Sequence, residues 1–173
     1  NYDLFFIDLW GVIHNGIELY KEAVNVLTKI SEAKKDYILL TNAPRPNKNV
    51  ENFLEKMGLD KTKREKVFTS GEAALNFLKK NHLNQSFYHI GPPRDFDLFH
   101  YFQDKKIDSL DNCEYILCTG LFDDQNTDLN FYKNLLEAQI KKKMICTNPD
   151  LIVDRGSLRE LCAGSVAMVF EKM

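Results

Sequence analysis

The stretch Phe5 to Gly16, FFIDLWGVIHNG, constrains the fold of this chain more than any other, because an apolar run stops there on a carboxylate and the chain then turns. Leu4 to Ile7 is a continuous apolar run of the kind found in a strand covered on both faces within a parallel sheet, and Asp8 falls where such a strand emerges. Ligands of open α/β sheets bind at that carboxyl edge. Asn15-Gly16 tolerates positive φ at both positions, so the segment after Asp8 is expected to fold back as a small hairpin. These residues alone leave Asp8 with two readings: a reactive group presented by a strand, or a polar residue that caps a turn.

The rest of the chain repeats the same alternation. Ala23, Val24, Leu27 and Ile30 recur at helical spacing and predict an amphipathic helix from about Tyr20 to Lys34, closed by Lys34 and Lys35 as the helix dipole favours. Tyr37 to Asn42 is a second apolar run ending in polar residues. Pro46 then suits the first turn of a helix that runs to about Met57, with Gly58 as its left-handed terminator. Val67 to Thr69 predicts a brief third strand, and Ser70 is read as the N-cap of a helix from Gly71 to about Lys80. From Phe87 the pattern restarts: strand 87–90, a Gly91-Pro92-Pro93 break, helix 95–103, strand 115–118, helix 129–142, strand 144–147 and a last helix 163–172. Strand, helix, strand in this order is an α/β chain with parallel strands. Tyr20, Tyr37, Phe53, Phe96, Phe99 and Phe102 sit at core-like spacing and are read as packing residues.

Composition excludes several function classes. The formal net charge of −2 over 173 residues gives no field that would draw nucleic acid or an anionic membrane. No apolar run approaches the ~20 residues needed to cross a bilayer. The four cysteines, Cys113, Cys118, Cys146 and Cys162, have no CxxC pairing and no zinc-finger histidines, so reduced thiols in a cytoplasm are the simplest account. The chain starts at Asn1 and not at methionine, and its N-terminus is read as incomplete.

No phosphate loop, dinucleotide fingerprint or HExxH pair is present. What remains is a set of polar strand ends: Asp8 after the first strand, Thr41-Asn42 after the second. On neighbouring parallel strands these converge at one edge. A carboxylate there can attack phosphorus when a hydroxyl and backbone amides hold the phosphoryl oxygens and a magnesium ion offsets the repulsion between anions. Thr41 and Asn42 are equally compatible with a capped loop that opens the next helix.

FFIDLWGV resembles motif I of the haloacid dehalogenase (HAD) superfamily, and LLTNAPR resembles its motif II. VFTSGEAAL, HIGPPRD, CTGLFDD, CTNPDLIVDRG and CAGSVAMVFEKM are similar to successive landmarks of the class IIA hydrolases, the NagD-like and p-nitrophenyl phosphatase branch. Within that branch, DxWGVxHNG with GPxRD and TGLFDD resembles a subgroup of hydrolases of undefined substrate. The resemblance implies a Rossmann-like HAD core, here an incomplete parallel sheet, with an inserted α/β class IIA cap. The division is core 1–69, cap 70–147 and a return to the core over 148–173. It implies Asp8 as nucleophile, forming an aspartyl-phosphate and binding Mg2+ together with the main-chain carbonyl of Trp10. It gives Thr41 the role of hydroxyl donor to the phosphoryl group, with Gly11, Asn42, Asn148 and Asp150 as substrate or phosphate contacts. The implied substrate is a small phosphorylated metabolite, and a second copy of the chain is a further candidate partner.

Two departures qualify this. Most phosphatases of the superfamily carry an acid/base Asp two residues after the nucleophile, where this chain has Trp10, and an indole transfers no proton at neutral pH. His14 or a cap residue is then the candidate substitute, although His14 beside Asn15 also reads as a turn residue that points outward. Dehalogenases lack the second Asp as well, but the class IIA cap argues for a phosphatase. The second departure is that the lysine motif and the acidic metal motif that would follow in the family do not occur before Met173. The chain is therefore expected to be an N-terminal portion, with the Asp8 strand left as an edge or open face, and to show no turnover by itself. The alternative function is a weakened, metabolite-binding or regulatory module. Asp123 and Asp124 are expected to cap the helix near Leu129.

Overall fold

The computed structural model describes residues 2–155 and 158–173; Asn1, and Gly156 at the end of the CTNPDLIVDRG landmark, lie outside them. Two three-stranded parallel sheets organise the chain. The first has the order β1 (Leu4–Asp8), β2 (Asp36–Thr41), β3 (Val67–Thr69), with helices α1 (Lys21–Glu32), α2 (Asn47–Lys56) and α3 (Lys61–Arg64) in the connections. The second has the order β4 (Phe87–Ile90), β5 (Tyr115–Cys118), β6 (Lys143–Cys146). Helix α4 (Ser70–Asn81) leads from one to the other. Helix α5 (Leu129–Leu136) precedes β6, an antiparallel hairpin β7 (Ile152–Arg155) and β8 (Leu158–Leu161) follows it, and α6 (Ala163–Glu171) ends the fold.

The second sheet behaves as its near-continuous apolar strands require. Tyr115 and Leu117 of β5 face Leu75 and Leu78 of α4 together with Phe99 and Phe102. Ile116 and Cys118 face Tyr132 and Leu136 of α5 and Val166 of α6. The first sheet does not follow the expectation drawn from FFID. Tyr37, Leu39 and Val67 pack under Leu27 of α1 and Val50 and Leu54 of α2, so both helices lie on one face. Side chains alternate along a strand, and the other face presents Leu4, Phe6, Leu40 and Phe68, with Phe6 65% exposed. β1 is one of the sheet's two edge strands, and Leu4, Phe6, Leu40 and Phe68 each keep more than a third of their surface exposed, so the expected double coverage is corrected to coverage on one side. The edge-or-open-face expectation for the Asp8 strand corresponds to what is observed.

Several local expectations change for identifiable reasons. Residues 93–105 form 3-10 turns and not the expected α-helix over 95–103, with non-helical dihedrals at Phe99 and Phe102. Phe96, Phe99 and Phe102 are three residues apart, the spacing that a three-residue turn eclipses onto one face; Phe99 and Phe102 pack edge-on against Phe87. The helix expected over 129–142 stops at Leu136 and tightens into a 3-10 turn over 137–139. Its N-cap is Asp128, whose carboxylate accepts from the Asn130 amide at 2.9 Å; Asp123 instead pairs with Arg94 at 2.6 Å, and Asp123 and Asp124 open a separate short turn. α4 is capped by Thr69, one residue earlier than Ser70. Of the six aromatics read as core, Tyr37, Phe99 and Phe102 are buried, while Tyr20, Phe53 and Phe96 keep more than a third of their surface exposed because they lie at the rims of the layers. All four cysteines are free thiols. Among the described residues no helix is long and apolar enough to cross a membrane.

Candidate active site

Asp8 pairs with Leu40 in the parallel register, so Asp8 and Thr41 stand one step apart at the same carboxyl edge, on adjacent strands. Asp8 is exposed, and its Oδ1 accepts from the Leu9 amide at 2.7 Å. The turn that follows is built tightly. Leu9 and Ile13 are buried, Gly11 takes a φ of 76° and donates its amide to the His14 carbonyl at 2.8 Å, and the chain returns through a bridge between His14 and Leu19. Asn15 Oδ1 accepts from both the Ile17 and Glu18 amides at 2.9 Å, which fixes the small hairpin expected at Asn15-Gly16. In this state the Gly11 amide is committed to the turn.

The structure overturns the reading of His14 as a turn residue that points outward. It is only 3% exposed, its Nδ1 accepts from the Gly16 amide at 2.9 Å, and its ring meets Trp10 and Phe53 edge-on. It does not point outward. Burial lowers its pKa and the nearby Asp8 charge only partly opposes this, so it is neutral at pH 7 and has no proton in excess to donate.

Trp10 is anchored where the superfamily's second acid would lie. Its indole N–H donates to the Asp154 carbonyl of β7 at 2.9 Å, and its ring lies over Gly16, where an added Cβ would come within 2.6 Å of the indole. A second link joins the same regions: Asn42 Nδ2 donates to Asp150 Oδ1 at 2.9 Å, and Asn148 Oδ1 accepts from the Asp150 amide at 3.0 Å. The hairpin region after β6 is thereby tied to the ends of both β1 and β2, which brings Asp8, Trp10, Thr41, Asn42, Asn148 and Asp150 to one side of the molecule. Thr41 Oγ1 accepts from the Ala43 amide at 3.3 Å, and its hydroxyl proton stays available.

The Asp8 carboxylate and the Trp10 carbonyl are hard oxygen donors, the type that magnesium takes. Among the described residues no group of three or more His, Cys, Asp or Glu is gathered to hold a metal ion.

One polar group near this edge lay inside the quoted landmarks but was given no role from sequence. Asp95 of HIGPPRD is 4% exposed, and its Oδ1 accepts from Arg45 Nε at 3.3 Å. Thr119 Oγ1 lies 2.8 Å from Nε2 of buried His89. Burial raises the Asp95 pKa and Arg45 opposes the rise, whereas burial brings His89 down to about 3. The signal available in sequence was a charged pair, Arg94-Asp95, directly after the Gly91-Pro92-Pro93 break.

A family model described as haloacid dehalogenase-like hydrolase matches residues 5–102. Among solved structures, a hydrolase of the haloacid dehalogenase-like family from Brucella suis is similar at 29% identity and a TM-score of 0.88, over 99% of this chain and 63% of that one. A 4-nitrophenylphosphatase from Thermotoga maritima superposes with a TM-score of 0.74 at 21% identity, over 98% of this chain and 64% of its own. The p-nitrophenyl phosphatase from Archaeoglobus fulgidus gives 0.73 at 19% identity, again over 98% and 64%. At these identities the two phosphatases share the fold. The chain thus spans less than two thirds of the length of each of the three. No curated protein matches it.

Proposed function

The chain belongs to the haloacid dehalogenase-like hydrolases, and we propose that it carries the nucleophile half of a magnesium-dependent phosphatase acting on a small phosphorylated metabolite. The observation that carries this reading is the register: Asp8 and Thr41 end adjacent parallel strands at one edge, where strand-end groups meet ligands. In this proposal residues 1–69 and 148–173 belong to the core and 70–147 to a cap that selects the substrate.

Asp8 attacks phosphorus: a carboxylate O–P bond forms, the ester P–O bond breaks, and water later cleaves the aspartyl-phosphate to restore the carboxylate. Thr41 donates its hydroxyl to a phosphoryl oxygen, with Asn42 beside it, while Asn148 and Asp150 hold Asn42 in place through the bonds described above. Asp8 and the Trp10 carbonyl are the residues that would hold magnesium, which when bound offsets the repulsion between carboxylate and phosphate.

The leaving oxygen needs a proton, and the residues here supply it poorly. Trp10 cannot give one and is fixed to Asp154; His14 is buried and neutral. General acid/base assistance is worth ~10²–10⁴ in rate, so turnover should be low by that factor. This anchoring of Trp10 also supports a second reading, a phosphometabolite-binding module that keeps the fold without efficient chemistry. For residues 1–173 on their own we expect no turnover.

The test uses p-nitrophenyl phosphate with magnesium, on the longest natural form of the protein and on its Asp8→Asn variant. Turnover abolished by Asp8→Asn supports the nucleophile; equal residual rates remove Asp8 from the mechanism. Phosphate binding without turnover in either protein favours the binding module.

A further inference from the structure

The loop that joins β2 to α2 carries Thr41 and Asn42 at its start and Arg45 at its centre, and it is fastened at several points. Thr69 Oγ1 donates to the Arg45 carbonyl at 2.5 Å, the Gly71 amide donates to the Ala43 carbonyl at 3.0 Å, and Asn47 exchanges bonds with the start of α4. Its amide donates to Glu72 Oε2 at 3.0 Å and its Oδ1 accepts from the Thr69 amide at 2.9 Å. Thr69 and Glu72 have the spacing of a capping box, but the Glu72 carboxylate closes the box across α2 and not onto Thr69 itself. Gly71 lies so close to the Arg45 backbone that any Cβ would overlap it. All these contacts hold the backbone.

The only side chain of the 43–46 segment that reaches the second sheet by a hydrogen bond, among the described residues, is Arg45, and it meets Asp95 just after β4. Asp95 is held in turn from behind. Gly120, next to Thr119, packs against it: a Cβ there would stand 3.7 Å from Asp95 Oδ2. Thr119 Oγ1 in turn lies within hydrogen-bond distance, 2.8 Å, of Nε2 of buried His89. The result is a cluster of His89, Thr119 and Asp95, met from the other side by Arg45. Gly91 lies against it so tightly that a Cβ there would overlap Thr119 Oγ1. A neighbouring contact has the same sense: Asn49 Nδ2 of α2 donates to Asp97 Oδ2 at 2.7 Å.

We propose that Asp95 is a positioning residue that clasps Arg45 and so sets the β2–α2 loop, with Thr41 and Asn42, against the second sheet. The inference rests on the reading of Thr41 and Asn42 as phosphate contacts. Asp95 itself touches no substrate; it acts through Arg45. The pair couples substrate selection in the second unit to phosphate binding in the first, because the carboxylate that orders the loop sits just after β4 and packs beside Gly120 after β5.

The experiment uses the full chain with Asp95→Asn, Arg45→Met and the double variant, read by amide hydrogen exchange. Asp95→Asn keeps the shape but removes the charge that pairs with Arg45. The expected result is exchange faster by about tenfold at the Ala43, Asn47 and Gly71 amides, with Leu39 and Ile116 in the sheets changing by less than about threefold. The double variant should match the single ones, since both break one contact. Uniform acceleration at all amides would make Asp95 merely structural and overturn the proposal, as would unchanged loop amides. A second arm titrates inorganic phosphate: both variants should lose affinity by the same factor, and wild-type affinity in them overturns the positioning role. If the wild type binds no phosphate, the proposed function fails, and the exchange arm still decides the clasp.

Discussion

Replacing Tyr115 by Phe should stabilise the protein, against the usual direction of core substitutions. Tyr115 opens β5, is 1% exposed, stacks on Phe87 at 5.6 Å and meets the His82 ring at 5.0 Å. Among the described residues its hydroxyl is the one buried polar side-chain atom without a hydrogen-bond partner. Burial, helped by the Glu114 charge, pushes its pKa up, as expected for a phenol surrounded by rings. A buried hydroxyl left unsatisfied costs ~1–3 kcal/mol. Phe keeps every ring contact and removes one oxygen, and the hole of about 10 Å³ that this leaves costs only ~0.2 kcal/mol. The net expectation is a gain of about 1 kcal/mol, or about 2–4 °C in Tm for a domain of this size. Urea denaturation followed by circular dichroism measures it, with an unchanged m-value as the check that only stability moved. Tyr115→Ala is the control and should lose ~3–5 kcal/mol because the rings of Phe87 and His82 lose their neighbour. A loss of about 1 kcal/mol or more in Tyr115→Phe would show that the hydroxyl is bonded after all, and would refute the reasoning.

Two further outcomes follow from the same contacts. Gly16→Ala places a methyl 2.6 Å from the indole at a φ of 89°; it should cost ~1–3 kcal/mol and shift the emission of Trp10, the sole tryptophan, which fluorescence reads directly. Stability should also fall on acidification: burial lowers His14 and brings His89 to about 3, so the unfolded chain, titrating near 6.5, binds more protons than the folded one. The stabilisation is complete above pH 6.5 and is lost below it by up to about 1.4 kcal/mol per pH unit per histidine. Urea midpoints of wild type and His89→Gln between pH 7 and pH 4 test this, and an equal slope in both would contradict it.

How far the sequence could be read depended on the range of the contacts involved. β1, β2, β4 and β5 were legible because each is an apolar run ended by polar or turn residues, and Gly58, at a φ of 89°, ended its helix as anticipated. Thr41 and Asn42 were legible for the same reason, as strand ends. The β7–β8 hairpin was not, since Ile152 to Arg155 mixes apolar and charged residues with no clear period and gains its place from Asp150 and Asp154 contacting distant loops. His14 misled because a histidine beside Asn-Gly looks solvent-facing, whereas Trp10 and Phe53 close over it. The clasp of Arg45 on Asp95 was out of reach: the two lie 50 residues apart, and spacing carries no sign that they meet.

The two sheets differ in one respect that bears on chemistry. Both faces of the second are covered, whereas Asp8 ends the uncovered face of the first, in line with exposed Leu4 and Phe6. A carboxylate attacks an anion effectively only where fixed dipoles replace water. The orienting parts of such a site are already in place here: the turn that holds Trp10, the tie from Asn42 to Asp150, and the clasp on Arg45. Water exclusion at Asp8 is not among them. Coverage of Leu4, Phe6, Leu40 and Phe68 would therefore do more than bury apolar surface: it would lower the dielectric around Asp8, and on the proposed reading of Asp8 as nucleophile, rate and sheet stability should rise together when that face is covered.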